Sequence, residues 1–217
     1  MCGIAGIFSK LKPTESEVKT ITESIRHRGP DADGYFLDDF IALGHKRLSI
    51  IDLDARANQP FISGNGRYVL VFNGEIYNFK SIAVELQASG VQLKTTSDTE
   101  VIVEAFALWG TGFVHKLNGM FAFVIYDKIT HQLFLYRDRE GKKPLFYYLS
   151  DNLFVFGSEL KAVTTHPIVF KSLQIKKTTL SSFLQLGYVH EPNTFFENIF
   201  KFPDGHYGIL NGDFNIA

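Results

Sequence analysis

The chain contains one cysteine, and it is the second residue. A thiol attacks a carbonyl carbon only as the thiolate, and a free cysteine is mostly protonated at neutral pH, so a nucleophilic cysteine needs a base nearby. Position 2 supplies one without a second side chain. Once Met1 is removed, Cys2 carries the free α-amino group. Its reference pKa of about 8 lies well below the ~10.4 of lysine, so a useful fraction is neutral at cellular pH. The thiol proton can then pass to the amine directly or through one water. The plainer reading of a lone cysteine is a small buried apolar residue. Cys2-Gly3 alone does not separate the two, although Gly3 keeps side-chain bulk away from the thiol. His27 is not needed as a base where the amine serves. No histidine or carboxylate cluster shows metal-ligand spacing.

A nucleophile at the chain start must be held by the elements behind it. Residues 3–8 alternate glycine with Ile, Ala and Phe and read as a buried strand close to another backbone. Thr14-Glu15-Ser16-Glu17 reads as a capping box, with Val18, Ile21 and Ile25 behind it at helical spacing. Arg28-Gly29-Pro30 is the expected stop of that helix. Strands are expected at about 35–37 and 41–48, and at 67–72 running into the turn-type dipeptide Asn73-Gly74. Asn78 is placed to cap a short helix carrying Ile82 and Leu86, with Gly90 beyond its end. Ser97-Asp98-Thr99-Glu100 reads as a second capping box, opening a helix through Trp109 that closes at Gly110. Four apolar runs come next, at 121–126, 133–136, 145–148 and 154–156, spaced as in an antiparallel meander. Helices are expected near Ser158 and at 178–186, and the residues from about 190 read as an extended arm. The order implies an α+β domain of antiparallel sheets covered by helices.

The bulk numbers agree with one folded domain. There are 217 residues, 45% of them hydrophobic, enough to bury a substantial core. Phenylalanine occurs 21 times, which points to a thick aromatic core between packed sheets. Lys plus Arg is 22 and Asp plus Glu is 23, a balance that suggests neither a nucleic-acid nor a membrane partner. The start shows no signal peptide and no apolar stretch approaches the ~20 residues of a bilayer span. With a single cysteine no disulfide can form within the chain, and a cytoplasmic location is the expectation.

Several short stretches then match one pattern in order: Met1-Cys2-Gly3-Ile4-Ala5-Gly6, Arg26-His27-Arg28-Gly29-Pro30-Asp31, Gly44-His45-Lys46-Arg47-Leu48-Ser49-Ile50, Asn73-Gly74-Glu75-Ile76-Tyr77-Asn78 and Ser97-Asp98-Thr99-Glu100. Leu117-Asn118-Gly119-Met120-Phe121-Ala122, Arg137-Asp138-Arg139 and Lys143-Pro144-Leu145 continue it. The set resembles the amino-terminal glutaminase domain of glutamine-dependent asparagine synthetases, a class II, or N-terminal-nucleophile, glutamine amidotransferase. The resemblance covers essentially the whole chain, with residues 1–190 as the glutaminase domain and 191–217 as the arm that leads toward a synthetase domain.

The resemblance implies a four-layer α-β-β-α sandwich. It implies that Cys2 attacks the carboxamide of L-glutamine, forms a γ-glutamyl thioester and releases ammonia. It assigns the oxyanion hole to the Asn73 side chain and the Gly74 N–H. Arg47 would grip the α-carboxylate, and the loop through Ile50 and Ile51 would line the pocket. Glu75 and Asp98 would face the substrate ammonium. Each has a plainer reading: an Asn-Gly turn, a surface arginine at a strand end, a solvated acid, and an acid favoured in the first turn of a helix. Arg26, His27, Arg28 and Asp31 match the pattern without an evident chemical step and read as loop-fixing. The glutaminase half-reaction needs no cofactor. ATP and Mg belong to the synthetase domain, whose Ser-Gly-Gly-rich phosphate loop does not occur here; Ile62-Ser63-Gly64-Asn65-Gly66 does not match it. The ammonia would pass to a synthetase domain in cis or to a partner chain, and a homodimer is open. Two alternatives remain: a non-catalytic regulatory or binding module of the same fold, and an amidotransferase domain serving another acceptor.

Overall fold

The computed structural model describes all 217 residues. The strands, in chain order, are β1 (Gly3–Ser9), β2 (Ala32–Leu37), β3 (Ile41–Arg47), β4 (Phe61–Ile62), β5 (Tyr68–Ile76), β6 (Gly119–Asp127), β7 (Gln132–Arg137), β8 (Phe146–Leu149), β9 (Leu153–Gly157), β10 (Ile199–Lys201) and β11 (Tyr207–Leu210). The helices are α1 (Glu15–Glu23), α2 (Phe79–Ala88), α3 (Asp98–Trp109), α4 (Leu160–Thr164), α5 (Pro167–Lys171) and α6 (Lys177–Leu186).

Two antiparallel sheets form. One has the order β10-β8-β9-β1-β3-β2 and the other β11-β7-β6-β5-β4. Strand alternation sorts their side chains into three apolar layers. Ile4, Leu43, Val71, Val124 and Phe154 meet between the sheets. Leu70, Phe72, Phe106, Phe113 and Phe123 fill the space under α2 and α3. Ala5, Ile7, Val18, Ile21 and Val163 pack the other sheet against α1 and α4. The result is the expected four layers, α-β-β-α. No helix is long and apolar enough to cross a membrane.

Where the structure departs from the sequence reading, tertiary pairing is the cause. Thr14 and Glu17 form the reciprocal cap, but α1 ends at Glu23 and not at Arg28. A 3₁₀ turn, Arg26–Arg28, comes after it, and Gly29 then lies so close to β3 that a Cβ on it would fall 2.3 Å from the Lys46 carbonyl. Asn73-Gly74 is not a turn. β5 runs straight through it, with Asn73 opposite Ala122 and Gly74 opposite Phe121. Asn78 does not cap α2 with its side chain; its amide bridges Lys116 O and Asn118 N. Ser97 caps α3, but the Glu100 carboxylate binds the N–H groups of Lys94 and Thr95 rather than closing a box.

The four apolar runs are two hairpins rather than one meander. β6 and β7 lie in one sheet and β8 and β9 in the other. α5, opened by Pro167, is an additional helix. The segment read as an arm gives each sheet an edge: β10 pairs with β8 and β11 with β7. It holds on because Phe202, Leu210 and Phe214 are buried in the inter-sheet layer.

Candidate active site

β1 and β3 pair side by side, Gly3 opposite Lys46, which brings Cys2 next to the residues just after Arg47. Cys2 Sγ sits against the backbone of one residue: it accepts from Leu48 N–H at 3.4 Å and lies 3.6 Å from Leu48 O. Behind it, Arg28 Nε donates to Cys2 O at 2.9 Å while Arg28 Nη1 donates to Glu159 at 3.0 Å. A side chain at Gly3 would press on Ile25 and Arg28, so the glycine permits this bracing. Burial pushes the Cys2 thiol above its ordinary pKa, and the Leu48 N–H and the Arg47 charge work against that. To act as a nucleophile such a thiol would need a base beside it.

The opposite wall comes from the other sheet. Val69 and Val71 face the inter-sheet layer, so Asn73 faces it too, toward the sheet that carries Cys2. Asn73 is buried and its Nδ2 has no partner, an expensive state for a donor. The backbone of β5 supplies a second donor by parity. Tyr68 O points to the β4 side, so Phe72, Gly74 and Ile76 present their N–H groups to that same edge. β4 reaches only to Leu70. Beyond it, Phe72 N–H is taken by Gln59 Oε1 at 2.6 Å and Ile76 N–H by Asp98 Oδ2 at 3.1 Å. Gly74 lies between them and turns its N–H to the cleft. A Cβ here would collide with Met120 O at 2.3 Å and Phe121 Cα at 2.8 Å.

These walls enclose a cleft of about 120 Å³ lined by Cys2, Arg47, Ile50, Ile51, Asn73, Gly74, Glu75 and Asp98. All eight residues named from the sequence thus meet in one place. Arg47 is buried and braces the loop after β3, with Nη1 on Asp54 O at 3.0 Å and Asn58 Oδ1 at 2.6 Å, and Nη2 on the carbonyls of Ile51 and Asp52. Asp98 opens α3. Burial drives its carboxyl up to about 6, opposed by the N–H groups of Ile76 and Thr99 and helped by Glu75. A buried acid with few counter-charges is a waiting partner for a cation.

A family model described as a glutamine amidotransferase domain matches residues 1–215. The chain belongs to that family. It is 37% identical over 222 residues to an asparagine synthetase (glutamine-hydrolysing) of Bacillus subtilis, covering 100% of this chain and 34% of that protein. A second B. subtilis asparagine synthetase is 38% identical, covering 97% and 29% respectively. The chain therefore spans about a third of the length of these relatives. Among solved structures, a glutamine phosphoribosylpyrophosphate amidotransferase of B. subtilis superposes with a TM-score of 0.71 at 20% identity, covering 100% of this chain and 48% of that one. At that identity the likeness speaks for the fold.

The cleft includes residues that the sequence reading gave no role. Lys143, from the Lys143-Pro144-Leu145 stretch, is buried at its rim with Nζ 2.9 Å from Met1 Sδ. Gln59 had no local signal at all; its amide joins β5 to Thr99 at 3.4 Å. A larger cavity of about 420 Å³ lies beyond Tyr77 and Asp138 and does not reach Cys2. No group of three or more His, Cys, Asp or Glu side chains is arranged to hold a metal ion.

Proposed function

We propose that this domain hydrolyses L-glutamine to glutamate and ammonia at Cys2. The observation that carries the reading is the buried, unpartnered Nδ2 of Asn73, set beside the Gly74 edge in the cleft that holds the one thiol. Glutamine enters with its ammonium toward Asp98 and Glu75. Its α-carboxylate goes to Arg47, taking Nη contacts now held by the Ile51 and Asp52 carbonyls, so the loop after β3 shifts on binding. Cys2 Sγ forms a bond to the carboxamide carbon while the thiol proton passes to the α-amine freed by loss of Met1. The oxygen turns into an oxyanion between Asn73 Nδ2 and Gly74 N–H. The amine returns the proton to the departing nitrogen, ammonia leaves, and a γ-glutamyl thioester remains. Water then attacks that thioester while the amine takes its proton, the carbon–sulfur bond breaks, the amine returns the proton to Sγ, and glutamate departs.

The ammonia serves a synthetase domain in cis or a partner chain, where ATP and Mg would activate aspartate for asparagine synthesis in the cytoplasm. The support is the family membership and the names of the relatives that this chain matches over a third of their length. The test is glutamate release from glutamine by the processed chain and its Cys2→Ala variant. Release by the first and none by the second is expected, and full activity in Cys2→Ala would sink the assignment.

A further inference from the structure

We propose that His45 is a positioning residue for this site: its Nε2–H holds the Phe72 carbonyl and so fixes the oxyanion strand β5 against the nucleophile strand β1. The proposal rests on the reading of the cleft as a glutaminase site. Ile41 and Leu43 of β3 face the inter-sheet layer, so His45 and Arg47, two and four residues on from Leu43, face it too. His45 is fully buried and stands opposite Ile4, two residues from Cys2. Its Nε2 lies 3.3 Å from Phe72 O.

A carbonyl can only accept, so Nε2 carries the proton and Nδ1 is a bare acceptor. Nδ1 has no partner. An orphaned polar atom in a core is costly, and an apolar side chain of similar volume would avoid it. The gain is the bond across the sheets. Phe72 sits on the open edge of β5, where its N–H is held by Gln59 and its C=O by His45. The next N–H on that edge is Gly74's, and the next side chain is Asn73's. The nucleophile and both oxyanion donors therefore belong to different sheets, and His45 is a direct polar link between them at that point. Burial pushes the imidazole down to about 3, the Phe72 bond opposes this, and Arg47 adds to it. The ring stays neutral and keeps one tautomer.

The test uses the full processed chain and the variants His45→Leu, His45→Gln and His45→Asn. The Gln amide nitrogen reaches the place of Nε2, whereas that of Asn reaches only the place of Nδ1. Misplacement of about 1 Å at a reacting centre costs on the order of 100-fold. His45→Leu and His45→Asn are expected to lose ~10- to 100-fold in kcat for glutamine hydrolysis. KM should stay within about threefold, and alkylation of Cys2 by iodoacetamide should proceed at the unsubstituted rate. His45→Gln is expected to recover most of kcat. Nitrogen NMR of the imidazoles, with His45 assigned by the Gln variant, should show an Nε2–H tautomer. Amide exchange should quicken over residues 72–76 in His45→Leu and not in His45→Gln. Unchanged kcat in His45→Leu, a Gln variant no better than Leu, parallel loss of alkylation, or an Nδ1–H tautomer would each overturn the proposal. If the unsubstituted chain does not hydrolyse glutamine, the reading of the cleft fails, and the tautomer and exchange results decide the link by themselves.

Discussion

Asn73→Ala separates what a side chain does for a reaction from what it does for a fold. Asn73 Nδ2 is buried with no hydrogen-bond partner. Leaving a buried donor unsatisfied costs ~1–3 kcal/mol, so its removal returns about that much to the folded state. Against this stands the lost packing of one small amide in a wall that already borders a cleft. The two effects are of similar size, and the melting temperature should stay within about 5 °C, since 1 kcal/mol moves a domain of this length by roughly 2–4 °C. Activity should behave differently. Loss of one oxyanion donor lowers kcat by ~10²–10³, or roughly 3–4 kcal/mol, with little change in ground-state binding.

The assay is steady-state glutamate release over a range of glutamine concentrations, with thermal unfolding measured on the same preparations. A large fall in kcat at near-constant KM and near-constant melting temperature is the expected result. A fall of less than threefold in kcat would refute the assignment of Asn73 as an oxyanion donor. So would a rise in KM alone. Loss of 10 °C or more in melting temperature would show that the amide is structural and that its partner was missed.

The same geometry yields three further outcomes. Asp98 is raised from 3.8 to about 6. Because the folded acid holds its proton more tightly than the unfolded one, its contribution to stability is present below about pH 4 and lost as pH rises to about 6. The loss is about 3 kcal/mol by linkage. Asp98→Asn should therefore be more stable at pH 7 by calorimetry, while its glutamine KM rises and loses the increase that the parent chain shows below pH ~6. Gly74→Ala should cost several kcal/mol, because the added methyl meets β6 backbone at 2.3 and 2.8 Å; normal unfolding and turnover would refute the reading of that edge. A chain that keeps a residue before Cys2, verified by mass spectrometry, should lose ~10²–10⁴ in kcat with its base, and wild-type turnover would show that another group takes the proton.

The sequence made the layers and the meeting of eight residues in one cleft legible, and the reasons differ. Helix caps are local, so Thr14 and Ser97 announced α1 and α3 correctly. Cleft residues were legible because several short motifs recur together, not because any one residue type demanded its role. What failed was pairing at a distance. Asn73-Gly74 carries turn chemistry, yet a nine-residue partner strand, β6, holds it extended. β7 and β8 look alike locally; one joins β6 and the other β9, and the chain between them passes through a turn where Gly141 takes a φ of 58°. β10 and β11 are three and four residues long, too short for periodicity to show, and exist through the strands beside them. Gln59 and His45 act through one backbone carbonyl and one N–H of Phe72, and no pattern in a sequence marks such bonds.

The thiol on its own would be an ordinary half-buried cysteine, held by one N–H and pushed toward its neutral form. What makes it a candidate nucleophile is the wall across from it, and that wall is anchored in a separate sheet. The relative position of the two is set by the apolar layer between them, where Ile4 and Leu43 from one side meet Val71 and Val124 from the other. Such a core is packed to crystal-like density and resists displacement. Gly6 of the first strand lets its backbone come close to that layer. At Gly6 a Cβ would enter the Phe156 ring at 2.3 Å, so β1 lies as near to the aromatic layer as a backbone can. Phe8, Phe154, Phe156, Phe202 and Phe214 of that layer would therefore serve the proposed chemistry. They would keep the distance between the sulfur and the proposed oxyanion donors constant, and catalysis by fixed dipoles depends on such preorganised distances.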